Sequence, residues 1–203
     1  TSSSNIDRSG DANYSGFLTD YTQLKTVDTD DDSELRRFIS KELKAREYNK
    51  LMLDPISFYP APQVTETVSQ KALTEISSYF NNTLAKAVDT KLNLVDQPGK
   101  DTLRIKMAIT GVKVVDKELE VYQYIPIAFV LNAAKGGLSD MVVNFQIEAE
   151  VVDSLTGELL GAAVKIGVGG TLKNDGTSLT LAELKPLIDN WTKTMTKTLV
   201  DNM

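Results

Sequence analysis

Carboxylates are the side chains of this chain whose spacing could support chemistry. Asp28, Asp30 and Asp32 stand at alternate positions, where the first, third and fifth ligands of an EF-hand calcium loop would fall. The match stops there, because Ser33 takes the sixth position, where glycine makes the sharp turn, and Ile39 the twelfth, where a bidentate carboxylate is needed. A solvated acidic loop is expected, and no metal. A second group, Glu148, Glu150, Asp153 and Glu158, is the one cluster that suits a glycosidase pair, which needs two carboxyl groups about 5 to 9.5 Å apart. Alternation with Ile147, Ala149 and Val151 places Glu148 and Glu150 on the wet face of a strand, so exposed surface charge is the expected reading.

The remaining motifs are weaker. Gly167, Gly169 and Gly170 hint at a phosphate cradle, but Leu172 stands where the dinucleotide fingerprint has its third glycine. A loop is expected there. No S-x-x-K spacing occurs, which removes one announcement of a serine–lysine nucleophile. The chain has no histidine and no cysteine. Imidazole triads, thiolate nucleophiles, His-ligated zinc and facial-triad iron are therefore excluded as sites within it, and no cofactor is implied. The net charge of -6 gives no general attraction for nucleic acid or an anionic membrane surface.

These side chains must be carried by elements the pattern can locate. With 203 residues, 41% of them hydrophobic and 25% charged, an unstapled core is feasible. Residues 1–13 are polar and read as a flexible tether, with a single α+β domain over 14–203. Residues 35–47 permit a short helix, and 51–59 read as a strand interrupted at Pro55. A long helix follows, opened by the capping box 67–70, with Ala72, Ile76, Phe80, Leu84 and Val88 on one face. Leu103, Ile105, Met107 and Ile109 alternate as in a strand, residues 126–134 suit a short helix, and 143–166 form a hairpin about the turn 153–158. Residues 167–170 and 173–176 are expected to be loops. The last helix opens with the capping box 180–183 and buries Leu184, Ile188, Trp191, Met195 and Leu199; Pro186 within it predicts a kink or a late start. The sum is a mixed, largely antiparallel sheet of about four strands with two long amphipathic helices packed on one face.

Residues 14–25 hold three aromatics and two leucines. Phe17, Leu18 and Tyr21 are expected either to clamp this segment onto the body or to meet a partner. The run Ser15-Gly16-Phe17-Leu18-Thr19-Asp20-Tyr21, then Leu24-Lys25, then Leu53-Asp54-Pro55-Ile56-Ser57-Phe58-Tyr59-Pro60, resembles an uncharacterised family of bacterial outer-membrane lipoproteins. Its members begin with a lipid-attached cysteine and carry an S-G-F-L-x-D-Y opening and a D-P-V-like strand. Tyr124-Ile125-Pro126 and the hairpin over 152–160 are similar to that family too, the hairpin with less specificity.

The resemblance implies a signal peptide and a lipid-bearing cysteine upstream of Thr1, and so an anchor on the periplasmic face of the outer membrane. It supplies no activity and no catalytic residues. The first expectation is a non-enzymatic accessory protein that binds another envelope protein or a cell-wall component. A carboxylate-based glycan hydrolase is the second. A small-molecule binding module, with an apolar pocket between helices and sheet, is the third.

Overall fold

A computed structural model describes residues 14–31, 33–61, 70–116, 121–126, 141–172 and 181–203. Three long strands make the centre: β6 (Thr102–Asp116), β8 (Met141–Asp153) and β9 (Leu159–Leu172), each antiparallel to the next. On the β9 side follow β2 (Glu34–Ile39) and then β1 (Lys25–Val27), both antiparallel. On the β6 side lie β3 (Lys50–Leu53) and β5 (Asn93–Leu94), which run parallel to their neighbours. The short β4 (Ser57–Phe58) and β7 (Val121–Pro126) also pair with β6.

The expectation of about four strands is overturned by these nine strands among the described residues, which form one sheet with three helices around it. The physical reason is length. A strand of two or three residues, such as β1, β4 or β5, is too short to express a period. Residues 35–47 divide into β2 and the short helix α1 (Lys41–Ala45), because Leu35, Phe38 and Ile39 fit either period while Ser40 caps a new turn, accepting the Glu42 amide at 3.2 Å.

The glycines at 167, 169 and 170 lie inside β9 rather than in a loop. Gly167 is there because β2's approach leaves no room: a Cβ would meet the Cβ of Ser33 at 2.5 Å and its Cα at 3.1 Å. Gly167→Ala is therefore expected to push the two chains apart and lower stability by about 1–3 kcal/mol, read from the urea midpoint at unchanged slope.

The helices α2 (Gln70–Asp89) and α3 (Leu181–Asn202) pack on one face of the sheet. Ile76, Phe80, Leu84 and Val88 of α2 and Leu184, Ile188 and Trp191 of α3 meet Ile105, Met107 and Ile109 of β6 and Phe145 and Ile147 of β8, all of them buried. The Trp191 indole donates to the Met107 sulfur at 3.4 Å. Pro186 lies inside α3, which begins five residues before it. One ladder hydrogen bond is thus lost close to the helix start.

The hairpin turn is fastened at Asp153. One carboxylate oxygen accepts the amides of Leu155 and Thr156, both at 2.9 Å, and the other accepts the Tyr48 hydroxyl at 2.7 Å. The Tyr48 hydrogen bond first, and the amides with it, hold this carboxyl below the usual aspartate range. Gly157 closes the turn at φ 74. The tether 1–13, the capping boxes at 67–70 and 180–183, the helix expected over 126–134 and the loop expected at 173–176 fall wholly or in part outside the described residues.

Candidate functional site

Among the described residues, two places on the sheet bring charged side chains out of water. The first is the face opposite the helices, where Ala162 and Val164 of β9 form a second apolar cluster with buried Leu18 and with half-buried Tyr14, Phe17, Tyr21 and Leu24. The segment 14–24 lies across this face. Beneath it are Glu148 and Glu150, 0% and 4% exposed. The expectation of surface charge is corrected by this burial.

Both carboxylates accept hydrogen bonds from the segment. Glu148 accepts the Ser15 amide at 3.2 Å, the Gln146 side-chain amide at 3.3 Å and the Tyr21 hydroxyl. Glu150 accepts the Thr19 amide at 3.0 Å and the Thr19 hydroxyl at 3.3 Å. A buried carboxylate persists where several donors replace its water. Burial first, then the Glu148 charge, pushes the Tyr21 phenol well above its ordinary range, so it stays a donor. Tyr14 stacks on Tyr21 at 4.4 Å between ring centroids, and the Arg36 guanidinium donates to the Tyr14 hydroxyl at 2.8 Å. Phe17 meets the ring of Tyr59 at 5.6 Å, and Tyr59 is 39% exposed.

The second place is a cavity of about 420 Å³ on the helix side, between α3 and strands β1, β2 and β9. Its walls are largely apolar: Val27, Leu35, Ala163, Trp191, Met195 and Leu199. Gly161 and Ala163 of β9, with little or no side chain, line it too. Asp28, Asp30, Asp31 and Ser33 stand along one side, with Arg37 and Lys197 also contributing.

Lys165 is the unusual residue in this cavity. It lies on β9 beside Ala163 and is 4% exposed. Its ammonium donates to Asn190 Oδ1 at 3.1 Å and Thr194 Oγ1 at 3.3 Å and stands 5.8 Å from the centre of the Trp191 ring. Among the described residues no carboxylate lies within ion-pair distance of it. Burial pushes its pKa down, and the more distant charge of Asp31 acts against that shift.

Lys165 was not expected from the sequence, and the apolar pocket between helices and sheet stood there only as the third expectation, with no lining residue named. The available signal was one lysine inside the otherwise apolar run of residues 159–168. The acidic loop holds no group of three metal-competent side chains among the described residues. Asp153 and Glu158 stand apart from the Glu148 and Glu150 pair. They hold Tyr48 and Arg46 at the hairpin turn, where Glu158 accepts from the Arg46 guanidinium.

Residues 13–195 match a family described as "Protein of unknown function (DUF3313)". The chain belongs to this family. Within reach of the DUF3313 chain by sequence is the "Uncharacterized lipoprotein YdcL" of Escherichia coli (strain K12). The two are 29% identical over 179 residues, which is 87% of this chain and 81% of that protein. The protein of the same description from Escherichia coli O157:H7 gives the same figures. Among solved structures, the PelC dodecamer from Paraburkholderia phytofirmans matches with a TM-score of 0.35 at 15% identity, over 77% of this chain and 93% of that one. A DUF330 protein from Xanthomonas campestris matches at 0.34 and 12%, over 76% and 82%. No described helix of the DUF3313 chain is long and apolar enough to cross a membrane.

Proposed function

We propose that this chain is the periplasmic body of a lipid-anchored protein of the outer membrane, and that it works by binding a small apolar molecule under α3 rather than by catalysis. The observation that carries the binding half is the cavity of about 420 Å³ walled by Trp191, Met195 and Leu35, a size in the range of small-molecule sites, roughly 300–1,000 Å³. Support for the anchor comes from the lipoprotein description of the Escherichia coli relative. The non-catalytic half is supported by a chain without histidine or cysteine and by the donors that already occupy Glu148 and Glu150.

Trp191 is the only tryptophan of the chain and lines the cavity, so it reports directly on occupancy. Purified protein titrated with N-phenyl-1-naphthylamine, an uncharged apolar fluorophore, is expected to bind one molecule per chain saturably, with excitation transferred from Trp191. A linear, unsaturable signal sinks the binding half. The anchor is tested by fractionating cells that express the whole gene: the protein should sediment with outer membranes and be released by detergent but not by salt. Recovery in the soluble fraction would sink that half.

A further inference from the structure

We infer that the molecule taken up under α3 carries one carboxylate on an apolar body, with the carboxylate on the Lys165 ammonium and the hydrocarbon laid along Trp191. The inference rests on the binding reading above and adds the chemistry of the ligand. An ammonium has three donors, and Lys165 directs two of them to the neutral oxygens of Asn190 and Thr194. One remains. A cation held at 4% exposure is costly unless a counter-charge meets it. Among the described residues the walls offer none at ion-pair distance. A bound anion would supply both the missing acceptor and the missing charge.

The surroundings limit that anion to a small one of single charge. Asp28, Asp30 and Asp31 line the same cavity and would repel a dianion such as a phosphate monoester. Arg37 and Lys197 line the cavity as well, but the ammonium of Lys165 beside Trp191 is a point charge, without the bidentate fork that favours phosphate on arginine. The apolar part of the lining, Val27, Leu35, Trp191, Met195 and Leu199 among it, suits a hydrocarbon body.

Tryptophan fluorescence again gives the test, now with three decyl ligands that differ only in the head: decanoate, decanol and decyl phosphate. Decanoate is expected to bind the whole protein about tenfold or more tightly than decanol, as one charge-assisted hydrogen bond would give, and more tightly than decyl phosphate. In Lys165→Met the decanoate-to-decanol ratio should fall to about one. The thermal midpoint of this variant should not fall, since a buried cation with no ion pair among the described residues is replaced by an apolar side chain of similar length. Equal affinities for decanoate and decanol in the natural chain would overturn the carboxylate inference while leaving the binding reading intact, as would a ratio that survives Lys165→Met. If none of the three binds, the binding reading fails as well.

Discussion

Glu148→Ala is expected to lower the stability of the protein by about 2–4 kcal/mol and to release residues 14–24 from the sheet. The alanine removes the acceptor shared by the Ser15 amide, the Gln146 side chain and the Tyr21 hydroxyl. Each donor left dry would cost about 1–3 kcal/mol. The segment can escape part of that cost by lifting into water, which caps the loss and makes it local. Two measurements separate the local from the global part. Chymotrypsin should cleave at Phe17 and Tyr21 in the variant long before the core is cut, and denaturant unfolding should show the smaller, whole-molecule loss. Glu148→Gln keeps an acceptor but gives up the charge, so it should fall between the two. Equal protection of Phe17 and Tyr21 in the natural chain and in Glu148→Ala would show that the segment is held by its apolar contacts alone.

Phe80→Ala is expected to cost about 3–5 kcal/mol, enough to threaten folding at growth temperature in a domain of ordinary stability. Phe80 is 0% exposed in the middle of α2 and belongs to the cluster where both long helices meet the sheet. The loss combines lost transfer from water with a cavity that neighbours held by two helices and a nine-stranded sheet cannot collapse to fill. A thermal midpoint lowered by only a degree or two would mean that α2 is less firmly seated than its burial implies.

Much of the helix side was legible in the sequence, because one-sided burial leaves a period. Ile76, Phe80, Leu84 and Val88 come round every fourth residue, and Leu103, Ile105, Met107 and Ile109 every second; all eight are buried. The turn at Asp153 was legible through its own side-chain chemistry. What periodicity cannot report is a cover from far along the chain. Alternation correctly turns Glu148 and Glu150 away from the helices, but Thr19, which closes over Glu150, lies 131 residues earlier. The place and lining of the cavity escaped for a different reason. It depends on how side-chain volumes fill the space between α3 and the sheet, and a pattern of hydrophobic positions carries no measure of volume.

The position of residues 14–24 also bears on the order of events as the chain is made. Their docking surface is built from Glu148, Glu150, Ala162 and Val164, so residues 14–24 have nowhere to settle until well over a hundred further residues have followed. During that interval Tyr14, Phe17, Leu18 and Tyr21 are bare to the surrounding medium, an aromatic handle of the kind that holdase chaperones grip. Docking of residues 14–24 therefore waits on the pairing of β8 with β9.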